Sequence, residues 1–252
     1  MNAIGCDVSL YQNAVSTPQY VNFATMKKNG ASFVIIRASQ ANYVDRDMVW
    51  NWSNAKAAGI LRGAYHFLTW DIDPNKQADF FCNLVQYDLP ELGLFADFEW
   101  WATVPSNALA ILDAFCTRVE NNTNRPCGVY TAPGFWQPNG NQDPKWIKRP
   151  LWQAQWGVTA PTVIKPWKNW TFWQYTSKGD GLKYGCESLS VDMDFFNGTE
   201  TDLFKYANII PPAPPSIDKI ALSNIADNLA SVGAYLKDTA SKITTIADHM
   251  QG

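Results

Sequence analysis

Asp97 and Glu99 stand two residues apart at the end of an apolar run, "LGLFADFEW" (residues 92–100). A strand points residues i and i+2 to the same face, so both carboxyl groups would project together, with Cα atoms about 6.6 Å apart. Two like charges this close disfavour joint ionisation, and the carboxyl in the more apolar surroundings keeps its proton. Glu99 is flanked by Trp100 and Trp101. We therefore predict that Glu99 is the proton donor and that Asp97 stays ionised.

A proton donor beside a permanent anion suits the cleavage of a glycosidic bond, because the leaving oxygen needs a proton and the oxocarbenium-like transition state needs negative charge. Other chemistries have weaker support. The two histidines, His66 and His249, are too few for a histidine-based metal site, and no GxSxG motif of a serine nucleophile is present. The run "GDGLKYG" (179–185) has no helix pattern after it and is a weak phosphate loop. We expect no cofactor and no metal ligands, although an acidic cluster could also bind Mg²⁺ or Ca²⁺.

Short β-branched and apolar runs recur along the first 200 or so residues. Eight of them are strand candidates: residues 3–9, 32–39, 62–68, 92–99, 127–132, 151–156, 170–176 and 190–196. Amphipathic stretches long enough for crossover helices separate the early strands. The first two of these stretches end at Gly30 and Gly59, in plausible C-cap positions. After residue 132 the connections become loop-like and rich in Pro, Gly, Asn and Trp.

This alternation predicts an α/β fold, a TIM-like barrel of eight parallel strands with fewer helices in its second half. An open doubly wound sheet is the alternative, but it would more naturally use five or six strands. In a barrel the carboxyl ends of the strands form the active-site face. The polar residues at these ends are Asp7, Arg37, Tyr65, His66, Asp97, Glu99, Tyr130, Gln155, Gln174, Asp192 and Asp194. An ion pair could explain any single acid, but the acids outnumber the available partners.

Composition narrows the class of protein. The 252 residues carry a net charge of −3, which gives no electrostatic footprint for nucleic acid. No apolar run approaches the length of a membrane span. Five scattered cysteines without a CxxC pair favour reduced, buried thiols. The high aromatic content, with 12 Trp, supplies both core residues and flat platforms for a ligand.

The chain changes character after residue 208, where the predicted catalytic barrel (1–208) ends. The run 209–216, "IIPPAPPS", is predicted to be an extended linker because proline removes backbone donors. In residues 217–252, apolar positions follow alternating steps of three and four over about four heptads. One amphipathic helix lying on the barrel would explain this pattern. We favour a helical coiled coil that makes homo-oligomers or anchors the chain in a larger particle, because the apolar stripe is narrow.

Six short motifs occur in an order that resembles a known family. They are "GCDVSLYQ", "GAYHF", "ADFEW", "WQAQW", "FWQYT" and "VDMDFF". Over about residues 3–205 they resemble the glycoside hydrolase family 25 lysozymes, the Chalaropsis-type muramidases. The combination of D-x-S-x-x-Q with D-x-E on the fourth strand carries the resemblance. Two positions depart from it: Arg37-Ala38-Ser39 stands where many relatives have Lys and then Thr-Glu, and Trp156 stands where Tyr is common.

The resemblance implies a flattened eight-stranded barrel that hydrolyses the β-1,4 bond between N-acetylmuramic acid and N-acetylglucosamine in peptidoglycan. It implies that Glu99 is the general acid, that Asp97 is its partner carboxylate, and that Asp7 and Asp192 are further acids of the cleft. The predicted substrate-binding residues are Tyr65, Tyr130, Gln155, Gln174, Trp101 and Arg37. We favour a mechanism in which Asp97 does not attack the sugar. It instead orients the N-acetyl group of the substrate, which attacks and preserves configuration.

Two rival functions stay open, a glycan-binding module without hydrolysis and a chitinase-like barrel. The Asp97/Glu99 pair argues against the first, since a binder needs no proton donor. Chitinases usually carry two earlier acids on the same strand, where this chain has Leu92 and Phe95. The start "MNAIGCDVSLYQ" shows no signal-peptide pattern. We therefore expect a phage or tail-associated lysin, made in the cytoplasm and acting on the wall after holin-type release or as part of a particle.

Overall fold

The computed structural model describes residues 1–13, 20–99 and 103–210 and, in the C-terminal segment, only Leu229, Gly233 and Lys237. The chain divides into two compact units, Met1–Ile210 and Pro211–Gly252. The three described residues of the second unit are helical and exposed. The rest of the predicted heptad helix (217–252) lies outside the described residues, so the coiled coil and its self-association stay a prediction.

The first unit is a barrel whose strands we number in chain order. They are β1 (Ile4–Val8), β2 (Ala31–Gln40), β3 (Tyr43–Val44), β4 (Leu61–Phe67), β5 (Gly93–Asp97), β6 (Cys127–Thr131), β7 (Leu151–Ala154), β8 (Phe172–Asp180) and β9 (Ser190–Phe196). The two-residue β3 only extends the end of β2. The other eight strands pair in chain order, and β9 pairs with β1 to close the barrel. All eight predicted strand segments are therefore confirmed.

The direction of the last strand corrects the prediction of a wholly parallel barrel. Neighbouring strands from β1 to β8 are parallel, whereas β9 is antiparallel to both β8 and β1. A parallel connection needs a crossover of a dozen or more residues. Only residues 181–189 join β8 to β9, and they form a hairpin connection. The barrel is therefore mixed.

Helices cover mainly the first half of the barrel, as the sequence predicts. They are α1 (Phe23–Lys28), α2 (Met48–Ala57), α3 (Pro74–Val85), α4 (Ala108–Thr123), α5 (Pro133–Asn139) and α6 (Glu200–Tyr206). Gly30 and Gly59 follow α1 and α2 with φ of +97° and +68°, a left-handed conformation that glycine adopts at a C-cap. Asp73 caps α3, accepting hydrogen bonds from the backbone of Asn75 and Lys76. Within the described ranges, no helix has both the length and the apolarity needed to cross a bilayer.

The period-two alternation of each strand makes two apolar layers. Inward-facing side chains such as Phe33, Phe95 and Phe172 fill the barrel, and outward-facing ones pack under the helices. At the amino end of the strands, Leu203 of α6 is fully buried against the inner layer. The ring of Tyr206 contacts Phe172 there. Helix α6 therefore closes the end of the barrel that is opposite to the strands' carboxyl ends.

A buried cation stabilises the start of β4. The side chain of Arg62 is 0% exposed and lies over the ring of Trp52, with 4.3 Å from the guanidinium carbon to the ring centroid. It donates hydrogen bonds of 2.8 Å to Asp88 and 2.7 Å to Glu91. Both acids belong to the connection between α3 and β5. The hydrogen bonds of Arg62 therefore hold this connection against β4.

Candidate active site

The carboxyl ends of the parallel strands surround a cavity of about 230 Å³, which we term the acidic cleft. Its lining residues are Asp7, Ser9, Tyr11, Gln12, Arg37, Tyr65, Phe67, Asp97, Glu99, Tyr130, Trp152, Gln174 and Asp192. Eight of the ten predicted site residues are among them. The structure thus brings together carboxylates, aromatic rings, amides and one guanidinium from eight strands and the segments that adjoin them.

Asp97 and Glu99 both point into the acidic cleft. Asp97 is the last residue of β5, and the backbone N–H of Phe98 still donates to the carbonyl of Tyr130 at 2.9 Å, so the chain continues extended past the strand. Phe98 faces outward and packs edge-on against Phe135 with ring centroids 5.0 Å apart. Alternation then returns Glu99 to the inner side, as the spacing predicts.

Burial raises the pKa of both carboxyls. For Glu99, burial and the charge of Asp192 raise the pKa to about 7. For Asp97, burial and the charge of Glu99 raise the pKa well above its ordinary value, against an opposing effect of Arg37. Asp97 is 5% exposed, and its Oδ1 accepts no hydrogen bond from any described residue. Burying a charge without partners is costly, so Asp97 favours its neutral form.

This differs from the sequence prediction, in which Glu99 alone holds a proton. The reason is that Asp97 is more deeply buried than Glu99, which lies at the rim and is half-buried. Aromatic residues flank Asp97 on both sides, since it pairs in register with Phe67 of β4 and Tyr130 of β6. The two acids line one pocket, and ionisation of Glu99 raises the pKa of Asp97 further.

The antiparallel direction of β9 explains why Asp192 reaches the cleft. Asp192 lies near the start of its strand, not near the end as predicted, and it pairs in register with Asp7 of β1. Burial raises the pKa of Asp192 to about 6. Two residues further along, Asp194 is fully buried inside the barrel, accepts a 2.7 Å hydrogen bond from Trp152 Nε1, and has a pKa raised by burial to about 8.

Gln174 links three walls of the cleft. Its Nε2 donates to Asp7 Oδ2 at 2.8 Å, and its Oε1 accepts from Tyr130 Oη and from Trp156 Nε1, each at 3.1 Å. The amide oxygen thus accepts two hydrogen bonds, and the amide nitrogen donates one. Gln174 therefore orients Asp7 and Tyr130, besides any contact with sugar that the sequence predicts for it.

Arg37 is the one cation among the described residues that line the cleft. Its Nε donates to Asp45 Oδ2 at 2.7 Å, and the same oxygen accepts from the backbone N–H of Leu10 at 3.1 Å. Tyr11 lies over the guanidinium, with 5.1 Å from its ring centroid to the guanidinium carbon. Asp45 was not predicted as part of the site, although it lies eight residues after Arg37 in the sequence.

Three sequence-predicted positions fall elsewhere. Gln155 is not a lining residue of the cleft and instead lines a neighbouring cavity, so its contact with substrate stays a prediction. Trp101 lies outside the described residues. His66 belongs to the outer layer, where Ser39 and Gln77 bind its two ring nitrogens at 2.8 and 3.1 Å, and burial lowers its pKa to about 4.

The lining also contains residues that the sequence analysis did not single out. Tyr11 is an exposed ring of the lining, 70% exposed, and Trp152 forms part of its buried wall. Trp156 does not line the cleft, but its Nε1 donates to the side chain of Gln174, which does. Strand alternation signals Trp152, because it has the inward parity on β7. Tyr11 lies in a 3-10 turn, Leu10–Gln12, whose Gln12 side chain accepts a 2.7 Å bond from the Ser9 backbone. Ser9 and Gln12 in the motif D-x-S-x-x-Q thus build this turn.

Relatives of known description match the barrel. The chain is 34% identical over 220 residues to "Lysozyme M1" of Streptomyces globisporus, covering 81% of this chain and 71% of that protein. It is 29% identical over 220 residues to the "N,O-diacetylmuramidase" of Chalaropsis sp, covering 81% and 98%. Among solved structures, the bacterial lysozyme from Streptomyces coelicolor superposes with a TM-score of 0.68 at 30% identity, covering 82% of this chain and 98% of that one.

A family model also matches the chain, and the matched region contains cleft residues from both halves of the barrel. The sequence model described as "Glycosyl hydrolases family 25" matches residues 6–182, which include Asp7, Asp97, Glu99 and Gln174. Together with the identities to the relatives above, this match shows that the chain belongs to glycosyl hydrolase family 25.

Proposed function

We propose that this chain hydrolyses the β-1,4 bond between N-acetylmuramic acid and N-acetylglucosamine in peptidoglycan, with Glu99 as general acid and base and Asp97 as its partner. Membership of family 25 makes the chain a glycoside hydrolase of the lysozyme type. The observation that supports the residue roles is the placement of Asp97 and Glu99, which lie in one acidic cleft with a Glu99 pKa near 7. A carboxylic acid with that pKa can donate a proton at neutral pH and accept one afterwards.

The mechanism we favour retains the anomeric configuration. Glu99 gives its proton to the glycosidic oxygen as the C1–O bond breaks, and the acetamido oxygen of the muramic acid bonds to C1. Asp97 takes part in its ionised form and accepts a hydrogen bond from the acetamido N–H. Its Oδ1 has no described donor, so this N–H supplies the missing partner and favours the carboxylate over the neutral acid. The Glu99 carboxylate then takes a proton from water, whose oxygen bonds to C1 and opens the oxazolinium ring.

Product analysis tests both the bond that is cut and the stereochemistry. We expect hydrolysis of defined peptidoglycan to release N-acetylmuramic acid at the new reducing ends, because the acid pair is proposed to cut on that side. In an NMR time course, the first anomer detected should be β, as in the substrate. Reducing ends of N-acetylglucosamine would contradict the muramidase assignment, and an α anomer as the first product would contradict the assisted mechanism.

A binding module that does not hydrolyse glycan is the rival from another class. The buried, unpartnered Asp97 Oδ1 and the clustering of several acids argue against it. Such a pocket is costly to the fold, and neutral hydrogen-bonding residues would bind sugar without that cost. The acid pair is therefore better explained by proton transfer than by recognition.

The C-terminal segment is proposed to assemble or anchor catalytic units, and the enzyme to act as a lysin on the cell wall. Support comes from the heptad pattern in residues 217–252. Several cleavage sites on one polymer make linked catalytic units bind more tightly than single ones.

Removing residues 210–252 is expected to convert an oligomer into a monomer that still cleaves soluble glycan. Analytical ultracentrifugation of the full chain and the shortened chain measures this. The same number of chains per particle in both samples would contradict the assembly role.

A further inference from the structure

A cavity of about 650 Å³ opens beside the acidic cleft, and we term it the side pocket. It lies at the carboxyl ends of β6 and β7 on the outer side of the barrel, between α5 and the loop 155–171. The residues that matter here are Trp136, Gln137, Gln142, Gln155, Thr162 and Lys165. The pocket is larger than the cleft itself, and of these residues only Gln155 was predicted to bind substrate.

The side pocket offers unused polar groups. The side chains of Gln137 and Gln142 are exposed and form no hydrogen bond with described residues, and the ammonium group of Lys165 forms no ion pair with them. The side-chain oxygen of Gln155 accepts a 2.8 Å hydrogen bond from the backbone N–H of Thr162. Its side-chain nitrogen donates to no described residue. Trp136 supplies a buried wall, and its Nε1 donates to the Lys165 carbonyl at 2.8 Å, fixing the backbone that carries the ammonium group.

The electrostatics of the two cavities are opposite. The acidic cleft contains Asp7, Asp97, Glu99 and Asp192, whereas no acid is among the described residues that line the side pocket. A ligand carboxylate would be repelled in the cleft and attracted by Lys165 in the side pocket. Free amide groups next to a cation suit a ligand that carries both peptide bonds and carboxylates.

The two cavities also adjoin each other. The backbone N–H of Gln155 donates to the Gln174 carbonyl at 3.1 Å, and the indole of the next residue, Trp156, bonds to the Gln174 side chain inside the cleft. Gln155 faces the side pocket and Trp156 bonds to a residue of the cleft, so one step along the chain separates them. The side pocket is therefore the cavity next to the cleft on the side of Gln174 and Trp156.

We propose that the side pocket binds the stem peptide of the muramic acid held in the cleft, with Lys165 contacting a peptide carboxylate. This inference rests on the proposed function, since it assumes that peptidoglycan occupies the cleft. In peptidoglycan the peptide is attached through the lactyl group of muramic acid and carries amides and free carboxylates. In this arrangement the glycan lies in the acidic cleft. Its peptide lies in the side pocket, near the glutamine side chains and Lys165.

Charge reversal at the side pocket tests this assignment. The substrates are two sets of N-acetylglucosamine–N-acetylmuramic acid oligomers, one with stem peptides and one stripped of them by an amidase. We expect Lys165→Glu to lower kcat/KM five- to tenfold on the peptide-bearing oligomers and to leave kcat/KM on the stripped ones unchanged. Lys168→Glu, in the same loop but not lining the pocket, should change neither value. Gln137→Ala, an independent change in the pocket, should lower only the peptide-bearing value, by about twofold.

The alternative occupant is a second glycan strand. An equal loss on both substrates for Lys165→Glu would indicate that occupant and overturn the peptide assignment, as would an unchanged value on both. If the unaltered enzyme cleaves neither substrate, the proposed function fails and this inference fails with it. Cleavage of both substrates without selective loss in Lys165→Glu overturns the inference alone.

Discussion

The Glu99→Gln variant is expected to lose about a thousandfold or more of kcat on peptidoglycan while keeping its fold. Glutamine has nearly the same shape but cannot give a proton to the leaving oxygen, and positioned acid–base catalysis contributes about 10² to 10⁴ in rate. Both steps of the proposed mechanism use this residue, so the loss should be near the upper end. Release of reducing ends from purified peptidoglycan measures kcat, and pelleting with insoluble walls measures binding.

The matched control is Glu200→Gln, which alters an exposed acid on α6 at the other end of the barrel. It should retain full activity. Binding to walls should persist in Glu99→Gln, and activity equal to that of the unaltered enzyme would refute the role of Glu99.

The pH profile of the unaltered enzyme should report the same group. A general acid works in its protonated form, so a Glu99 pKa raised to about 7 means that activity falls as the pH rises through 7. A profile that stays flat up to pH 9 would be inconsistent with Glu99 as the acid.

The Arg62→Met variant is expected to lose about 3 kcal/mol of its free energy of unfolding. Methionine keeps an apolar stem over Trp52 but removes the guanidinium that binds Asp88 and Glu91. The two acids are 37% and 22% exposed and stay partly hydrated, which places the loss at the lower end for a broken buried pair. Urea denaturation followed by tryptophan fluorescence measures the free energy.

Arg118→Met is the comparison, because Arg118 forms its ion pair with Asp79 at the surface, where both side chains are at least 40% exposed. Its unfolding midpoint should stay close to that of the unaltered protein. If both variants unfold at the same urea concentration, the burial of Arg62 does not stabilise β4. Arg62 lies near the start of β4 and not in the cleft, so its replacement should leave kcat nearly unchanged at low temperature.

Local periodicity was sufficient to predict the strands and the shared direction of Asp97 and Glu99. Each depends on neighbours one or two residues away, and alternation in a half-buried strand is strong. The same rule could have separated Gln155 from the cleft: Trp152 and Ala154 belong to the inner layer, so Gln155 has the outward parity. The motif "WQAQW" (152–156) thus contains residues of both parities, and only its inward positions can face the barrel interior.

Properties that depend on distant residues could not be read in this way. The tryptophans after Glu99 suggested that Glu99 has the most apolar setting, but Asp97 is buried by side chains from β2, β4 and β6. The direction of β9 depends on the connection 181–189, which is short because β8 runs on to Asp180, beyond its predicted end at residue 176. Its closure onto β1 brings together residues nearly 190 positions apart. Sequence spacing carries no information about such pairs.

The antiparallel β9 also determines where the barrel's chain leaves. A last strand parallel to the others would release the polypeptide at the carboxyl ends, beside the acidic cleft. Because β9 enters at that end and finishes at the other, α6 and the residues up to Ile210 lie at the amino ends of the strands. An insoluble wall many times larger than the enzyme can thus approach the catalytic mouth face-on, without α6 or the residues up to Ile210 standing in its way.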